Sequence, residues 1–172
     1  MPHHPRLWRG RRQGCLEPED REQVATDRRG DTEGLTRTRP SAAVILDSNF
    51  LFIPLKFGVD IFEELNQLLG RNVRCVVTTP IIDELKLLRT DAKPSFIKEV
   101  DFALGLVDRC DVVEASLDPC ETVDDSIVRV ASDGPFIVAT NDAELRRRLR
   151  RVGVSVVFLR QRSHLEIEGF ME

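Results

Sequence analysis

No stretch of the 172-residue chain carries the roughly 18 to 20 uninterrupted apolar residues that a membrane-crossing helix needs. Arg-, Pro- and Gly-containing sequence follows Met1 where a secretory leader would place an apolar run, so a soluble, cytoplasmic protein with no membrane partner is expected. Cysteine is sparse. Cys15, Cys75, Cys110 and Cys120 form no C-x-x-C pair, and histidine occurs only as His3, His4 and His164. Neither a zinc site nor a disulfide framework can be read from that set, and reduced thiols are the expectation. Positive charge is not in excess either, since 25 Lys+Arg stand against 29 Asp+Glu for a net charge of -4. A protein that holds nucleic acid by bulk charge is thereby excluded, and any such binding must be local. The length suits one globular domain with a short appendage, not a two-domain enzyme.

The appendage is residues 1–40. It contains nine Arg and seven Asp+Glu, and its few apolar residues follow no period of 2 or 3.6. Such a segment cannot bury enough surface to fold, so it is expected to be a disordered extension or the product of a start codon called too far upstream. The foldable unit is 41–172, which holds 16 basic against 22 acidic residues and is more acidic than the whole.

Within that unit, Val44 to Leu46 is a short β-branched run ending at Asp47, the pattern of a buried central strand. Ile61, Phe62, Leu65, Leu68 and Leu69 recur at helical spacing and close at Gly70. Cys75 to Thr78 predicts a second strand, and Pro80 suits the start of a helix with Ile81, Leu85 and Leu88 on one stripe. After a polar break at Thr90 to Lys93, Phe96 to Val107 predicts another helix. A brief strand at Val112-Val113, a helix over Val123 to Ala131, a strand over Phe136 to Ala139, a helix over Ala143 to Val152 and a last strand over Val154 to Leu159 complete the order. This β-α-β-α-α-β-α-β-α-β alternation predicts an α/β protein, a central parallel sheet covered by helices on both faces.

Ligands of such sheets bind beyond the carboxyl ends of the strands. Asp47 ends the first strand, Glu84 lies in the first turns of the helix after the second, Asp124 and Asp125 open the helix after the third, and Asp142 follows the fourth. A parallel sheet delivers all of them to one edge, with no Lys or His placed to neutralise them. Two carboxylates about 5 Å apart repel by roughly 3 kcal/mol at an effective dielectric near 20, so the cluster must take up protons or recruit cations. Hard divalent cations with oxygen ligands, Mg²⁺ or Mn²⁺, suit the donors. Such a centre activates water and stabilises charge on a phosphodiester, which makes hydrolysis of a nucleic-acid backbone the natural reaction class. The plainer alternative is that each acid only caps a helix start, and it weakens when four acids fall at strand ends of one sheet. Asp124 precedes Ile127 and Val128 by three and four residues and so shares the buried face, which ranks it above Asp125 as a ligand. Asp125 is left as an auxiliary ligand or a solvent-facing residue.

These residues resemble the PIN-domain family of metal-dependent ribonucleases. The likeness is carried by Val44-Ile45-Leu46-Asp47-Ser48-Asn49-Phe50-Leu51, Thr79-Pro80-Ile81-Ile82-Asp83-Glu84-Leu85, Val123-Asp124-Asp125-Ser126-Ile127 and Val138-Ala139-Thr140-Asn141-Asp142-Ala143-Glu144-Leu145. It implies a PIN-like three-layer α/β/α sandwich and an endoribonuclease, with Asp47, Glu84, Asp124 and Asp142 as metal-binding acids. Asn49 would then orient a ligand or the attacking water. Ser48 stands where the family usually has Thr, and the hydroxyl is kept. The tail from Val156 to Gly169 is similar to archaeal relatives of the PIN nuclease that helps mature small-subunit ribosomal RNA. That likeness implies RNA, as pre-rRNA or a ribosomal subunit, for a partner, and members of the family often self-associate as homodimers.

Other families fit less well. A haloacid-dehalogenase-type phosphatase needs a second Asp where Asn49 stands, and a receiver domain needs a Lys where Val157-Phe158-Leu159 close the last strand. Leu145, Leu149 and Val152 form the expected buried stripe of the last helix and leave an arginine arc. That arc is either a solvated face or, through Arg146, Arg147, Arg150 and Arg151, a hold on RNA phosphates. His164 is expected at the surface, and Phe50, Phe52, Phe57 and Phe62 in the core rather than as base-stacking platforms, with Phe57, placed in a loop, open to either role. Three roles are consistent with this reading: an rRNA-processing or RNA-turnover ribonuclease, a VapC-type toxin with an antitoxin partner, and a non-catalytic RNA- or protein-binding module.

Overall fold

The computed structural model describes residues 42–70 and 72–169. The expectation for residues 1–40 lies outside the described residues. From the start, strand β1 (Ala42–Leu46) leads into a 3-10 turn (Ser48–Phe52) and the short helix α1 (Ile53–Phe57). Then come α2 (Ile61–Leu69), β2 (Val73–Thr78), α3 (Thr79–Asp91), α4 (Pro94–Val107), β3 (Asp111–Val113) and α5 (Val123–Ser132). The chain continues through β4 (Phe136–Ala139), α6 (Ala143–Arg151), β5 (Val156–Arg160) and β6 (His164–Glu168).

The six strands form one sheet in the order β3-β2-β1-β4-β5-β6. β1 is flanked on both sides by parallel neighbours, with Val44 opposite Cys75 of β2 and opposite Ile137 of β4. Strands so placed must be apolar on both faces, and Val44, Ile45, Leu46, Val76, Val77, Val138 and Ala139 are all fully buried. The winding direction reverses at β1, so right-handed crossovers send the helices after β1 and β2 to one face and those around β4 to the other. The result is the α/β/α sandwich that the alternation predicts.

Helix starts follow local chemistry. Pro80 and Pro94 stand at the first turns of α3 and α4, where a missing N–H costs nothing. The Asp60 carboxylate accepts from Phe62 N (3.1 Å) and Glu63 N (3.2 Å) to cap α2, and Gly70 ends that helix at φ +61°.

Four features depart from the sequence expectations. The turn at Ser48–Phe52 and α1 carry no helical signal, because Phe50, Leu51, Phe52 and Ile53 are contiguous and all buried. Leu88 is exposed although it continues the Ile81–Leu85 stripe, and Val152 is exposed beyond the end of α6. The strand expected to close the chain is followed by another: β6 pairs antiparallel with β5, Arg160 opposite His164, so the sheet is mixed. The connecting turn holds Gln161 at φ 50° and Arg162 at φ 60°, with Ser163 N–H donating to Arg160 O at 3.1 Å. That is the backbone of a tight hairpin without the Asn-Gly or Asp-Gly that normally announces one.

Candidate active site

The reversal of winding opens a crevice between the carboxyl ends of β1 and β4, and the polar residues that follow these strands meet there. The Asp47 backbone N–H donates to Ala139 O at 3.0 Å, joining the two strand ends. Its side chain is 3% exposed and almost wholly occupied by local donors. Oδ1 accepts from Ser48 N at 2.7 Å, and Oδ2 accepts from Asn49 Nδ2 at 2.6 Å and from Thr140 Oγ1 at 2.7 Å. The buried Thr140 hydroxyl accepts in turn from Asp142 N at 3.1 Å. Asn49 Oδ1 accepts from Asn141 N at 3.2 Å, and Asn141 Oδ1 accepts from Leu159 N at 2.8 Å. One polar chain thus ties the ends of β1, β4 and β5 together around a carboxylate.

Two further acids act on it through space. Burial pushes the Asp47 carboxyl up to about 6; the hydrogen bonds from Thr140 and Ser48 pull it down, and the charges of Asp124 and Glu84 push it further up. Asp124 is also raised, first by burial and then by Asp142, with Glu84 and Asp125 adding to it and Arg148 opposing. Asp47, Glu84 and Asp142, from three separate segments, are therefore each brought within electrostatic range of Asp124, and Asp47 also within that of Glu84. Asp142 also caps α6, its Oδ1 accepting from Leu145 N at 2.8 Å.

Asp125 has a different environment. Thr122 N (2.9 Å) and Thr122 Oγ1 (2.7 Å) donate to its Oδ2, while its own N–H donates to Thr122 Oγ1 at 3.2 Å, a capping box at the start of α5. Its Oδ1 pairs with the Arg148 guanidinium. These contacts hold the Asp125 carboxyl down at about 2, with the Thr122 N–H and hydroxyl as the largest causes and Arg148 after them.

The donor set suits a hard dication by its chemistry, since every candidate ligand is a carboxylate and the cluster resists its own accumulated charge. The side chains are nonetheless open: among the described residues no three His, Cys, Asp or Glu close on one point. Both oxygens of Asp47 and Oδ1 of Asp142 are already engaged by donors within the chain.

The arginine arc is largely occupied within the chain. Arg147 pairs with Glu144 at 2.6 Å and Arg150 with Glu168 at 3.2 Å, while the Arg146 guanidinium lies 4.2 Å from the Phe158 ring centroid. Arg151 is exposed and makes no ion pair among the described residues. Arg148, absent from the candidate RNA-binding set, is the arginine that reaches the acids. Sequence reasoning also passed over Thr140 and Asn141. Their signal was a polar pair directly after a buried strand, where an unpartnered hydroxyl would be costly. His164 is exposed beside Glu166, as expected, and Phe62 packs under the Arg109 guanidinium at 3.9 Å.

A doubly wound α/β domain with acids gathered at its switch point is the class of protein that fold and site define. Residues 44–162 match the family model described as a PIN like domain, and the chain belongs to that family. Ribonuclease VapC4 of Methanocaldococcus jannaschii is 29% identical over 131 residues, which cover 74% of this chain and 98% of that protein. Among solved structures, the PIN domain endonuclease Utp24 superposes with a TM-score of 0.63 at 23% identity, covering 76% of this chain and 93% of the other. DNA-bound VapBC from Salmonella typhimurium superposes with a TM-score of 0.50 at 17% identity, over 68% and 98%. These two structural likenesses speak for the fold.

Proposed function

We propose that the protein is a divalent-metal-dependent endoribonuclease that hydrolyses RNA phosphodiester bonds in the cytoplasm, in ribosomal RNA processing or RNA turnover. The gathering of Asp47, Glu84 and Asp142 around Asp124 at the carboxyl edge of the sheet carries this reading. Those four would hold Mg²⁺ or Mn²⁺, with Asp125 supporting from the side by fixing Arg148. When bound, the cation supplies Lewis acidity toward a phosphoryl oxygen and toward water. Asn49 and Thr140 keep the Asp47 carboxylate in one orientation, so that its charge is presented without reorganisation. Arg148, already anchored by Asp125, offers positive charge at the rim of an otherwise acidic pocket. Cleavage of single-stranded RNA in the presence of Mn²⁺ tests the reading: wild type is expected to cut and Asp47→Asn to lose most of the rate, and equal rates would overturn it.

The rRNA role draws on the tail from Val156 to Gly169, and pre-rRNA or a ribosomal subunit is its partner. The similarity to ribonuclease VapC4 favours a second reading, a toxin held by an antitoxin. Growth arrest on expression alone, relieved by the product of a small gene directly upstream, would select it. A non-catalytic binding module is disfavoured by the complete acidic set, and calorimetric titration with Mn²⁺ tests that point directly.

A further inference from the structure

A cavity of about 500 Å³ opens beside the acids, lined by Pro80, Asp83, Glu84, Leu87, Leu117 and Val123 among others. It shares Glu84 with the acidic cluster, and Val123 directly precedes Asp124. Its volume falls within the roughly 300 to 1,000 Å³ of sites that take small organic groups. Leu87 is 64% exposed and Leu117 44% exposed, so large apolar side chains stand open to solvent at a position continuous with the candidate active site.

The lining discriminates among the parts of an RNA strand. The Asp83 carboxylate repels phosphate, and ribose, although its hydroxyls can donate to that acid, has no flat apolar face for the leucine and proline walls. A nucleobase meets both demands: its flat face is apolar enough for Leu87, Leu117 and Pro80, and donors on its edge can reach a carboxylate. The geometry points to a nucleobase subsite, in which Asp83 accepts from an exocyclic amino group of the base flanking the cleaved phosphate. Adenine, guanine and cytosine carry that group, whereas uracil lacks it and offers only an N3–H flanked by two carbonyl oxygens that the same acid repels. The assignment rests on the ribonuclease reading and adds to it a residue that sets base preference.

Two measurements on the full chain test it. In the first, single-stranded RNA containing 2-aminopurine is bound to Asp47→Asn protein, and fluorescence is expected to rise as the base leaves its stack. The rise should vanish when Leu87→Ser and Leu117→Ser are added, both solvent-exposed positions whose folding is checked by circular dichroism. In the second, wild type cleaves oligonucleotides varied one base at a time; uracil at one position beside the cut should lower kcat/KM roughly tenfold, the scale of a lost hydrogen bond to a charged group. Asp83→Asn, which can both donate and accept, should narrow that ratio.

No fluorescence change together with uniform cleavage of all sequences overturns the subsite and leaves the ribonuclease standing. A fluorescence change without any cleavage by wild type overturns the ribonuclease reading and, with it, the role of Asp83 in base preference. If instead the leucine substitutions change the mass in light scattering while the RNA signal persists, the cavity is a protein contact and the inference falls.

Discussion

Asp47 accepts three hydrogen bonds that favour its ionised form, and burial still raises its carboxyl to about 6. The sign of the linkage follows from that rise. Between about pH 4 and 6 the folded chain binds more protons at Asp47 than the unfolded chain, so the stability it contributes is complete below that window and lost as pH climbs through it. The shift from 3.8 to about 6 corresponds to about 3 kcal/mol at this 3%-exposed group. In denaturant titrations of metal-free protein, wild type should lose stability relative to Asp47→Asn as pH rises through the window. Mn²⁺ at neutral pH should raise the Tm of wild type more than that of the variant. Parallel pH profiles for the two proteins would show that Asp47 does not carry the excess charge.

Caps and turns set the position of the elements that bear the site. Thr122 starts α5, and through Asp125 it also holds Arg148 of α6. Thr122→Ala should therefore cost about 1 kcal/mol in chemical denaturation. The hairpin turn carries a different prediction, because Arg162 sits at φ 60° where a side chain is unfavourable. Arg162→Gly should stabilise the domain by roughly 1 kcal/mol in the same assay, and a loss would mean that the side chain makes a compensating contact. Legibility at this scale tracked periodicity. β4 falls at Phe136–Ala139 as its apolar run predicts, and α3 and α4 separate at the polar break before Pro94. The turn after β1 and strand β6 escaped notice because contiguous apolar residues have no period and the Gln161-Arg162 turn lacks the usual residues.

Charge distribution governs what the whole molecule does with RNA. Glu144, Asp125 and Glu168 engage three arginines of α6, which leaves few cations on that helix to displace counterions from phosphates. Arg147→Ala and Arg150→Ala should accordingly leave the log–log slope of RNA affinity against salt nearly unchanged, whereas Arg151→Ala should flatten it by about 0.7. Fluorescence anisotropy across a salt series measures all three. A slope flattened by Arg147→Ala or Arg150→Ala would require phosphate contacts from residues now paired within the chain.

The order of the first five strands along the chain and the placement of Asp47, Glu84, Asp124 and Asp142 at strand ends or in the turns that follow were legible in local sequence, because periodicity and residue type are properties of neighbours. The tertiary structure decided the rest. Pairing across the sheet brought Thr140 onto Asp47, the approach of α5 to α6 gave Asp125 to Arg148, and the antiparallel return of β6 closed the sheet. Those contacts join residues 93, 23 and a few positions apart, and their energies depend on burial and through-space charge, which no run of adjacent residues encodes.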